Sequence, residues 1–292
     1  MSRSSDLFLT ALAPAIWGST YVVTTLLLPA GYPLTMALLR ALPAGLLLLL
    51  LVRQLPQGLW WGRVLLLGAL NFSLFWSMLF VAAYRLPGGV AATLGALQPL
   101  LVIGLARLSL GTPIRSLAIG GALTGMLGVA LLVLTPQAAL DPLGIAAGLI
   151  GALSMALGTV LSRRWQPPTS TLTFTAWQLV AGGLLLIPLV LLLEPVPPGL
   201  SLPSLAGIAY LSLIGAALTY LLWFRGIARL EPATVSSLGF LSPLSAVLLG
   251  WLLLQQSLSP PQLLGMLVVL GSVWLSQFAQ QRAYAQRPLQ QR

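Results

Sequence analysis

Side chains that could carry out chemistry are scarce in this sequence of 292 residues. It contains no Cys, no His and no Lys, and its only acids are Asp6, Asp141, Glu194 and Glu231. Metal clusters, imidazole bases, thiol nucleophiles and lysine Schiff bases each need one of the missing residue types. The sequence therefore disfavours an enzyme, predicts no cofactor or metal, and directs attention to residues that would bind a solute without transforming it.

Aromatic side chains are the first group suited to binding. Phe72, Trp76, Phe80 and Tyr84 recur every four residues, a spacing that places them along one face of a helix. Aromatic faces suit flat organic solutes, apolar or cationic, through stacking and cation–π contacts. Core packing and anchoring at the membrane interface are the alternatives. The aromatic residues predicted to contact substrate are Trp17, Tyr21, Trp76, Phe80, Trp177 and Tyr220.

Two prolines interrupt long apolar segments at matching positions. A proline within a helix removes one hydrogen bond and clashes with the carbonyl group four residues earlier. For Pro99 and Pro243 those residues are Gly95 and Gly239. We therefore predict helix breaks and a role in gating for these four residues, with freed carbonyl groups at Gly95 and Gly239; kinks that serve only packing are the alternative. The polar residues that precede the prolines, Gln98 and Ser242, are further candidates for substrate contact.

Arg40 is the one charged residue that falls well inside an apolar segment. It lies roughly 9–10 Å from the outer end of its predicted helix, at 1.5 Å per residue. An ionisable side chain within a membrane is a functional candidate by default. Its guanidinium group could hold a substrate carboxylate or carbonyl groups at a helix end. Alternatively, an arginine at this depth can extend its side chain to the outer interface.

The elements that carry these residues are transmembrane helices. Apolar residues make up 58% of the chain and charged residues only 6%, against about 25% charged in soluble domains. A bilayer core of about 30 Å requires about 20 apolar residues as helix. We predict an all-α membrane protein with ten spans, at residues 7–28, 34–52, 64–84, 88–106, 116–134, 142–161, 170–193, 203–224, 232–254 and 261–280.

The arginines predict the orientation of these spans. With a cytoplasmic N-terminus, 12 of the 14 arginines fall in cytoplasmic loops or tails, while Arg85 lies outside and Arg40 within span 2. The positive-inside rule therefore places both termini in the cytoplasm. It also accounts for the net charge of +10, because the arginines are dispersed at helix ends and form no stripe that would bind nucleic acid.

The sequence matches itself at an offset of 144 residues. Residues 85–100 align with 229–244, including Arg85 with Arg229 and the Gly and Pro pairs described above, and Gly121 aligns with Gly265. We predict two five-helix repeats, residues 1–137 and 138–281, followed by a cytoplasmic tail, 282–292. Because five is odd, the two repeats are expected to be inverted, an arrangement typical of secondary transporters with alternating access.

The chain resembles the ten-helix, EamA-type branch of the drug/metabolite transporter superfamily. The resemblance is carried by Ala15-Ile16-Trp17-Gly18-Ser19, by Leu39-Arg40 and by the repeated Leu-Gly-x-Leu-x-Pro-Leu of the fourth and ninth helices. Within that superfamily it is similar to bacterial exporters of aromatic amino acids, which implies an inner-membrane location. It departs from many relatives in having no acid in the region of the fourth and fifth helices.

The leading hypothesis is an exporter of aromatic or neutral amino acids, or of similar amphipathic metabolites. No Asp, Glu or His stands within a predicted span to relay protons, so facilitated transport down the substrate gradient is expected. The expected partners are a small-molecule substrate and the lipid bilayer, with the protein a monomer or alternatively a dimer. Export of cationic or aromatic drugs remains open, as does a channel or lipid scramblase built on the same helices.

Overall fold

The computed structural model describes residues 3–86, 94–133, 141–197 and 199–285, without the side chains of residues 83, 84 and 279–285. Over these residues the fold is all-α, as predicted, with no strand. Nine helices are long and apolar enough to cross a membrane, and Gln98–Leu110 is a shorter apolar helix. We number the spans as follows: 1, Arg3–Trp17 and Ser19–Leu27; 2, Pro33–Val52; 3, Trp60–Gly68, the π-helical Ala69–Ser73 and Leu74–Arg85; 4, Gln98–Leu110; 5, Ser116–Val133; 6, Pro142–Arg164; 7, Thr171–Leu193; 8, Leu202–Ser212, the π-helical Leu213–Leu218 and Thr219–Arg229; 9, Pro232–Leu238 and Leu241–Leu254; 10, Pro260–Ala285.

Most helix ends lie within a few residues of their predicted positions. The Asp141 side chain caps span 6 by accepting a hydrogen bond from the Gly144 backbone N–H, and Gly111 ends span 4 with a positive φ of 68°. Spans 3 and 8 are longer than predicted, because each continues past an arginine, Arg63 and Arg225. Arginines at a helix end can extend to the interface without ending the helix.

Spans 4 and 9 differ from the predicted helices with central prolines. Pro99 stands in the first turn of Gln98–Leu110, and Pro243 in the first turn of Leu241–Leu254. A proline is tolerated there because the N–H it lacks would have no helical partner. The prediction of a free Gly239 carbonyl is wrong, because this oxygen accepts a hydrogen bond of 3.0 Å from the Ser242 N–H. Residues 88–93, with which span 4 was predicted to begin, lie outside the described residues.

Spans 3 and 8 each contain a π-helical segment, at Ala69–Ser73 and Leu213–Leu218. The two segments begin 144 residues apart, the same offset at which the sequence matches itself. A π-helical segment widens one turn by an extra residue and is frequent at functional sites. The two halves of the chain therefore share a local irregularity of the backbone as well as a pattern of residues.

Glycines allow the two halves to pack closely at spans 2 and 7. A Cβ added at Gly45 would lie 2.6 Å from the Val180 backbone nitrogen, and one added at Gly183 would lie 2.9 Å from the Leu42 Cα. Small residues at such crossings are typical of membrane helices, whose association depends on close packing. Close packing at a glycine also occurs elsewhere, since a Cβ added at Gly144 would lie 2.7 Å from the Leu86 Cγ.

Ion pairs join helix ends at one end of the bundle. Asp6 of span 1 pairs with Arg225 of span 8 at 2.6 Å, and Arg115 pairs with Glu231, before span 9, at 2.7 Å. Arg163 of span 6 donates hydrogen bonds to the carbonyl groups of residues 227 and 228 at the end of span 8. These residues were all predicted to lie at the cytoplasmic surface, and the structure brings them to a common end.

Candidate substrate cavity

A cavity of about 370 Å³ lies between the two halves of the bundle. Its walls come from both sequence repeats, and its size falls within the range of roughly 300–1,000 Å³ typical of small-molecule sites. Most predicted site residues line this cavity: Trp17, Tyr21, Arg40, Trp76, Gly95, Gln98, Pro99, Tyr220, Gly239, Ser242 and Pro243. Residues chosen from separate parts of the sequence thus meet at one place, with Phe80 and Trp177 as the exceptions.

A second cavity of about 250 Å³ lies next to the first. Phe80 lines this second cavity, together with the turn between spans 1 and 2 at residues 28–33. Arg40 and Trp76 line both cavities. Because the 28–33 turn was predicted to be extracellular, we name the two the central and the outer cavity. Arg40 therefore lies at the boundary between them.

Trp177 does not line either cavity, so the predicted substrate contact is not realised. It is buried in a separate cluster with Phe174 and Leu67, and its indole N–H donates a hydrogen bond of 2.6 Å to the Gln54 carbonyl after span 2. The reason is its place near the start of span 7, which packs against the end of span 2. Trp177 thus joins helix ends instead of facing a solute.

The Arg40 guanidinium group turns into the bundle. Its Nη2 donates a hydrogen bond of 2.6 Å to the Gly215 carbonyl, within the π-helical segment of span 8. Its Nη1 lies 3.5 Å from the Thr20 hydroxyl oxygen, and the group stands 5.3 Å from the centroid of the Trp76 ring. Of the two alternatives considered for Arg40, the structure therefore shows contact with carbonyl groups at mid-helix and not extension to the interface.

A chain of hydrogen bonds continues from Gly215 into span 1. The Thr219 hydroxyl donates to the Gly215 carbonyl at 2.8 Å and accepts from the Trp17 indole N–H at 2.9 Å. The Gly215 carbonyl therefore accepts two bonds, and it links Arg40 of one wall to Trp17 of another. Nothing in the sequence pointed to Gly215 or Thr219, because a π-helical segment has no simple signature in the order of residues.

The aromatic residues form one continuous cluster around Tyr220. Its ring centroid lies 5.0 Å from that of Trp17, 4.6 Å from that of Phe72 and 6.3 Å from that of Trp76. These separations and tilted orientations are those favoured by aromatic pairs. Phe72 packs behind this wall and is fully buried, whereas Trp17, Trp76 and Tyr220 line the cavity. The side chain of Tyr84, the last residue of the predicted stripe, lies outside the described part.

Trp223 is a cavity residue that the sequence analysis missed. It lines the central cavity, and its ring centroid lies 5.1 Å from that of Trp17. The signal was available, because Trp223 follows Tyr220 by three residues and so lies on the same face of the helix.

A small pocket lies between the central cavity and the ion pair of Arg115 with Glu231. The Arg115–Glu231 pair lines a small pocket of about 20 Å³, together with Pro99 and Ser237. Pro99 also lines the central cavity, so the pocket lies directly beyond its wall. The outer cavity of about 250 Å³ lies on the other side, beyond Arg40 and toward the 28–33 turn. The two sides of the central cavity therefore differ, with a narrow pocket at the Arg115–Glu231 pair and a wider space at Arg40.

Comparison with known proteins gives this architecture a family. The EamA-like transporter family matches residues 4–134 and 142–278. The chain is 48% identical over 267 residues to Protein PecM of Dickeya dadantii, covering 91% of this chain and 90% of that protein. It is 33% identical over 268 residues to the uncharacterized inner membrane transporter YedA of Escherichia coli, covering 89% and 86%.

A solved crystal structure has the same fold, with a TM-score of 0.81, 21% sequence identity and coverage of 95% of this chain and 99% of that chain. The family match covers most of the chain, and it falls in two stretches, as expected for a duplicated bundle. The chain therefore belongs to the EamA-like transporter family, within the drug/metabolite transporter superfamily, and is a multi-pass membrane transporter.

Proposed function

We propose that this transporter exports aromatic or neutral amino acids, or amphipathic metabolites of similar size, by alternating access around the central cavity. The observation that carries the proposal is the wall built by both repeats, with Trp17, Trp76 and Tyr220 on one side of a cavity of about 370 Å³. Aromatic faces bind planar solutes through stacking. The relatives' names do not specify aromatic solutes, so the chemistry of the wall is the support.

Alternating access is supported by the difference between the two sides of the central cavity. The Arg115–Glu231 pair lines a pocket of only about 20 Å³ on one side, and the outer cavity of about 250 Å³ adjoins the other. In an inverted repeat, exchange of conformations between the halves would widen the narrow side and narrow the wide one. The breaks at Gly239 and before Pro99 provide the places where spans 9 and 4 could bend.

Transport is proposed to be facilitative. The four acids of the chain lie at helix ends or in loops, and none lines the central cavity. Transporters that couple to protons commonly relay them through Asp, Glu or His within the membrane. Without such a residue, a pH gradient has no group through which to drive the substrate uphill.

Counterflow in proteoliposomes tests the proposal. Vesicles loaded with unlabelled tryptophan or phenylalanine are expected to accumulate the labelled compound transiently, with saturation and competition. Trp76→Ala should abolish this exchange, while Trp61→Ala should retain it, because Trp61 is half exposed at the start of span 3. Flux that does not saturate would indicate a channel or scramblase. Sustained accumulation driven by a pH gradient alone would contradict the facilitative mechanism.

A further inference from the structure

We infer that the central cavity recognises its substrate through a carboxylate group, and that it admits organic anions and zwitterions but discriminates against organic cations. The inference rests on the proposed transport of aromatic solutes and adds the charge that such a solute must carry. Its basis is the balance of donors, acceptors and charges among the residues that line the cavity.

The first observation is the charge of the wall. Among the residues that the structure describes, Arg40 is the only charged one that lines the central cavity. The whole chain has four acids, and every one of them lies elsewhere. Within a membrane, opposing charges are weakly screened, so one uncompensated arginine strongly biases the cavity toward anions. A cationic solute would enter beside Arg40 with no carboxylate to pair with.

The second observation is a set of donor groups without acceptors. Arg40 Nε, Gln98 Nε2 and Trp223 Nε1 are buried and have no hydrogen-bond partner among the described residues. All three residues line the central cavity, and Trp223 is only 1% exposed. A buried N–H without a partner is destabilising, so each of these groups gains from an acceptor that a ligand brings.

A carboxylate fits this set better than any other common group of a small metabolite. It has two oxygens that accept hydrogen bonds only, and it carries one negative charge, matching the single arginine. The arginine is held in place by Gly215 through Nη2, which leaves Nε for another acceptor. The three donor atoms are covered by neighbouring side chains, so a carboxylate would reach them only after those side chains rotate.

The aromatic faces do not offset this discrimination against cations. A ring of the wall could attract an ammonium group by a cation–π contact. The Trp76 face is already occupied, since the Arg40 guanidinium stands 5.3 Å from its centroid. The Trp17 ring packs against Tyr220 and Trp223. The rings are thus available for stacking with a planar solute more than for binding a charge.

Three indole compounds that differ in charge test the inference. Indole-3-propionate is an anion, tryptophan a zwitterion and tryptamine a cation at neutral pH, and all three carry the same ring. Binding to the purified protein is measured by isothermal titration calorimetry and checked by counterflow. We expect indole-3-propionate and tryptophan to bind, and tryptamine to bind at least about tenfold more weakly, since hydrogen bonds to charged groups are worth that much.

Two variants test whether Arg40 and Trp223 are the residues that recognise the carboxylate. Arg40→Gln should weaken indole-3-propionate binding by about tenfold or more and should remove the discrimination against tryptamine. Trp223→Phe should weaken carboxylate binding while leaving the melting temperature unchanged or higher, because it removes a buried donor that has no partner. The matched control is Trp177→Phe, which removes an indole N–H that is bonded to Gln54 away from the cavity. It should lower the melting temperature and leave the order of affinities intact.

The outcomes separate this inference from the proposed function. If none of the three compounds binds or exchanges, the proposed transport of aromatic solutes fails, and the inference fails with it. If tryptamine binds as tightly as indole-3-propionate, or if only tryptophan binds, the inference alone is overturned. If Arg40→Gln does not fold, Trp223→Phe decides the question, and unchanged carboxylate affinity in that variant overturns the inference.

Discussion

Arg40 donates a hydrogen bond of 2.6 Å to the backbone oxygen of Gly215, and this contact joins span 2 of the first half to span 8 of the second. The oxygen belongs to a π-helical segment, where the extra residue in the turn disturbs the usual pattern of backbone bonds. A charged side chain within a membrane must be paired or hydrated. The Gly215 carbonyl and, at 3.5 Å, the Thr20 hydroxyl supply part of this pairing, and the buried Nε has no partner among the described residues.

A hydrogen bond between span 7 and span 3 occupies the place in the fold that corresponds to the bond between Arg40 and Gly215. Asn71 Nδ2 donates a hydrogen bond of 2.8 Å to Gln178 Oε1, and both residues are buried. Asn71 lies 144 positions before Gly215, within the other π-helical segment. Gln178 occupies the place of Arg40 when residues 44–48 are aligned with 182–186. The fold thus contains two equivalent hydrogen bonds. The one beside the cavity is donated by the charged Arg40, and the one away from the cavity joins the neutral side chains of Asn71 and Gln178.

The neutral contact is expected to serve stability and not substrate binding. Asn71→Ala removes the bond to Gln178 and should lower the free energy of unfolding by about 1 kcal/mol, a typical value for hydrogen bonds between membrane helices. Affinity for a transported indole carboxylate should be unchanged, because Asn71 does not line the central cavity. Thermal unfolding and calorimetric titration of the same preparations provide the measurement. A variant with normal stability and altered affinity would contradict this division of roles.

Close packing at Gly18 is expected to be essential. A Cβ at this position would lie 1.9 Å from the Ser245 Oγ, 2.6 Å from the Ser242 carbonyl oxygen and 2.7 Å from the Ala246 nitrogen. Since two of these atoms belong to the backbone, Gly18→Ala would push span 1 from span 9. Overpacking of this kind destabilises by about 1–3 kcal/mol.

The measurement for Gly18→Ala is the melting temperature together with the counterflow rate, and both should fall. The matched control is Gly62→Ala at the start of span 3, where a Cβ would meet no atom within 4 Å. This control should be neutral, or slightly stabilising through the higher helix propensity of alanine. Equal behaviour of the two variants would show that the approach of spans 1 and 9 tolerates an added methyl group.

The sequence predicted the helical architecture because the length of its apolar segments is enough to indicate transmembrane helices. A run of about 20 apolar residues has few alternatives to a transmembrane helix. Most of the predicted site residues also line one cavity. Arg40 and the paired prolines would be unfavourable in contact with lipid, so their positions in the sequence already indicated a cavity within the membrane. Their roles in binding remain predictions.

Other features depend on three-dimensional contacts that no residue pattern records. Trp177 resembled Trp17 in the sequence, yet it faces the end of span 2, because helix rotation is set by packing and not by composition. The π-helical segments, and with them Gly215, were not predicted, since they depend on local backbone geometry. The lack of a hydrogen-bond partner for Trp223 Nε1 among the described residues likewise depends on the positions of all neighbouring side chains, which the sequence does not give.

The predicted orientation can be tested with single cysteines, because the natural chain has none. Gln57 lies between spans 2 and 3, and Ser257 lies between spans 9 and 10; both are exposed. The positive-inside rule predicts that a membrane-impermeant maleimide labels Ser257→Cys in intact cells and labels Gln57→Cys only after permeabilisation. The reverse result would invert the bundle and assign the ion-paired end to the outside.

The ion pair between Arg115 and Glu231 is expected to hold the cavity closed at its end of the bundle. Its side chains are only 23% and 17% exposed, so the attraction is less screened than at an open surface. Glu231→Gln should therefore raise the population of the state opened at this end. A shift of about 1 kcal/mol would be roughly fivefold in that population.

Ser237 lies in the pocket lined by the ion pair, and it is only 1% exposed. A cysteine introduced by Ser237→Cys can therefore report the opening of this end. In purified protein, a maleimide should label it about fivefold faster when Glu231→Gln is present. The exchanged pair, Arg115→Glu with Glu231→Arg, should restore slow labelling, because the attraction is retained with its direction reversed. If the labelling rate is the same in all three proteins, closure at this end depends on apolar packing around Pro99 and not on the charges.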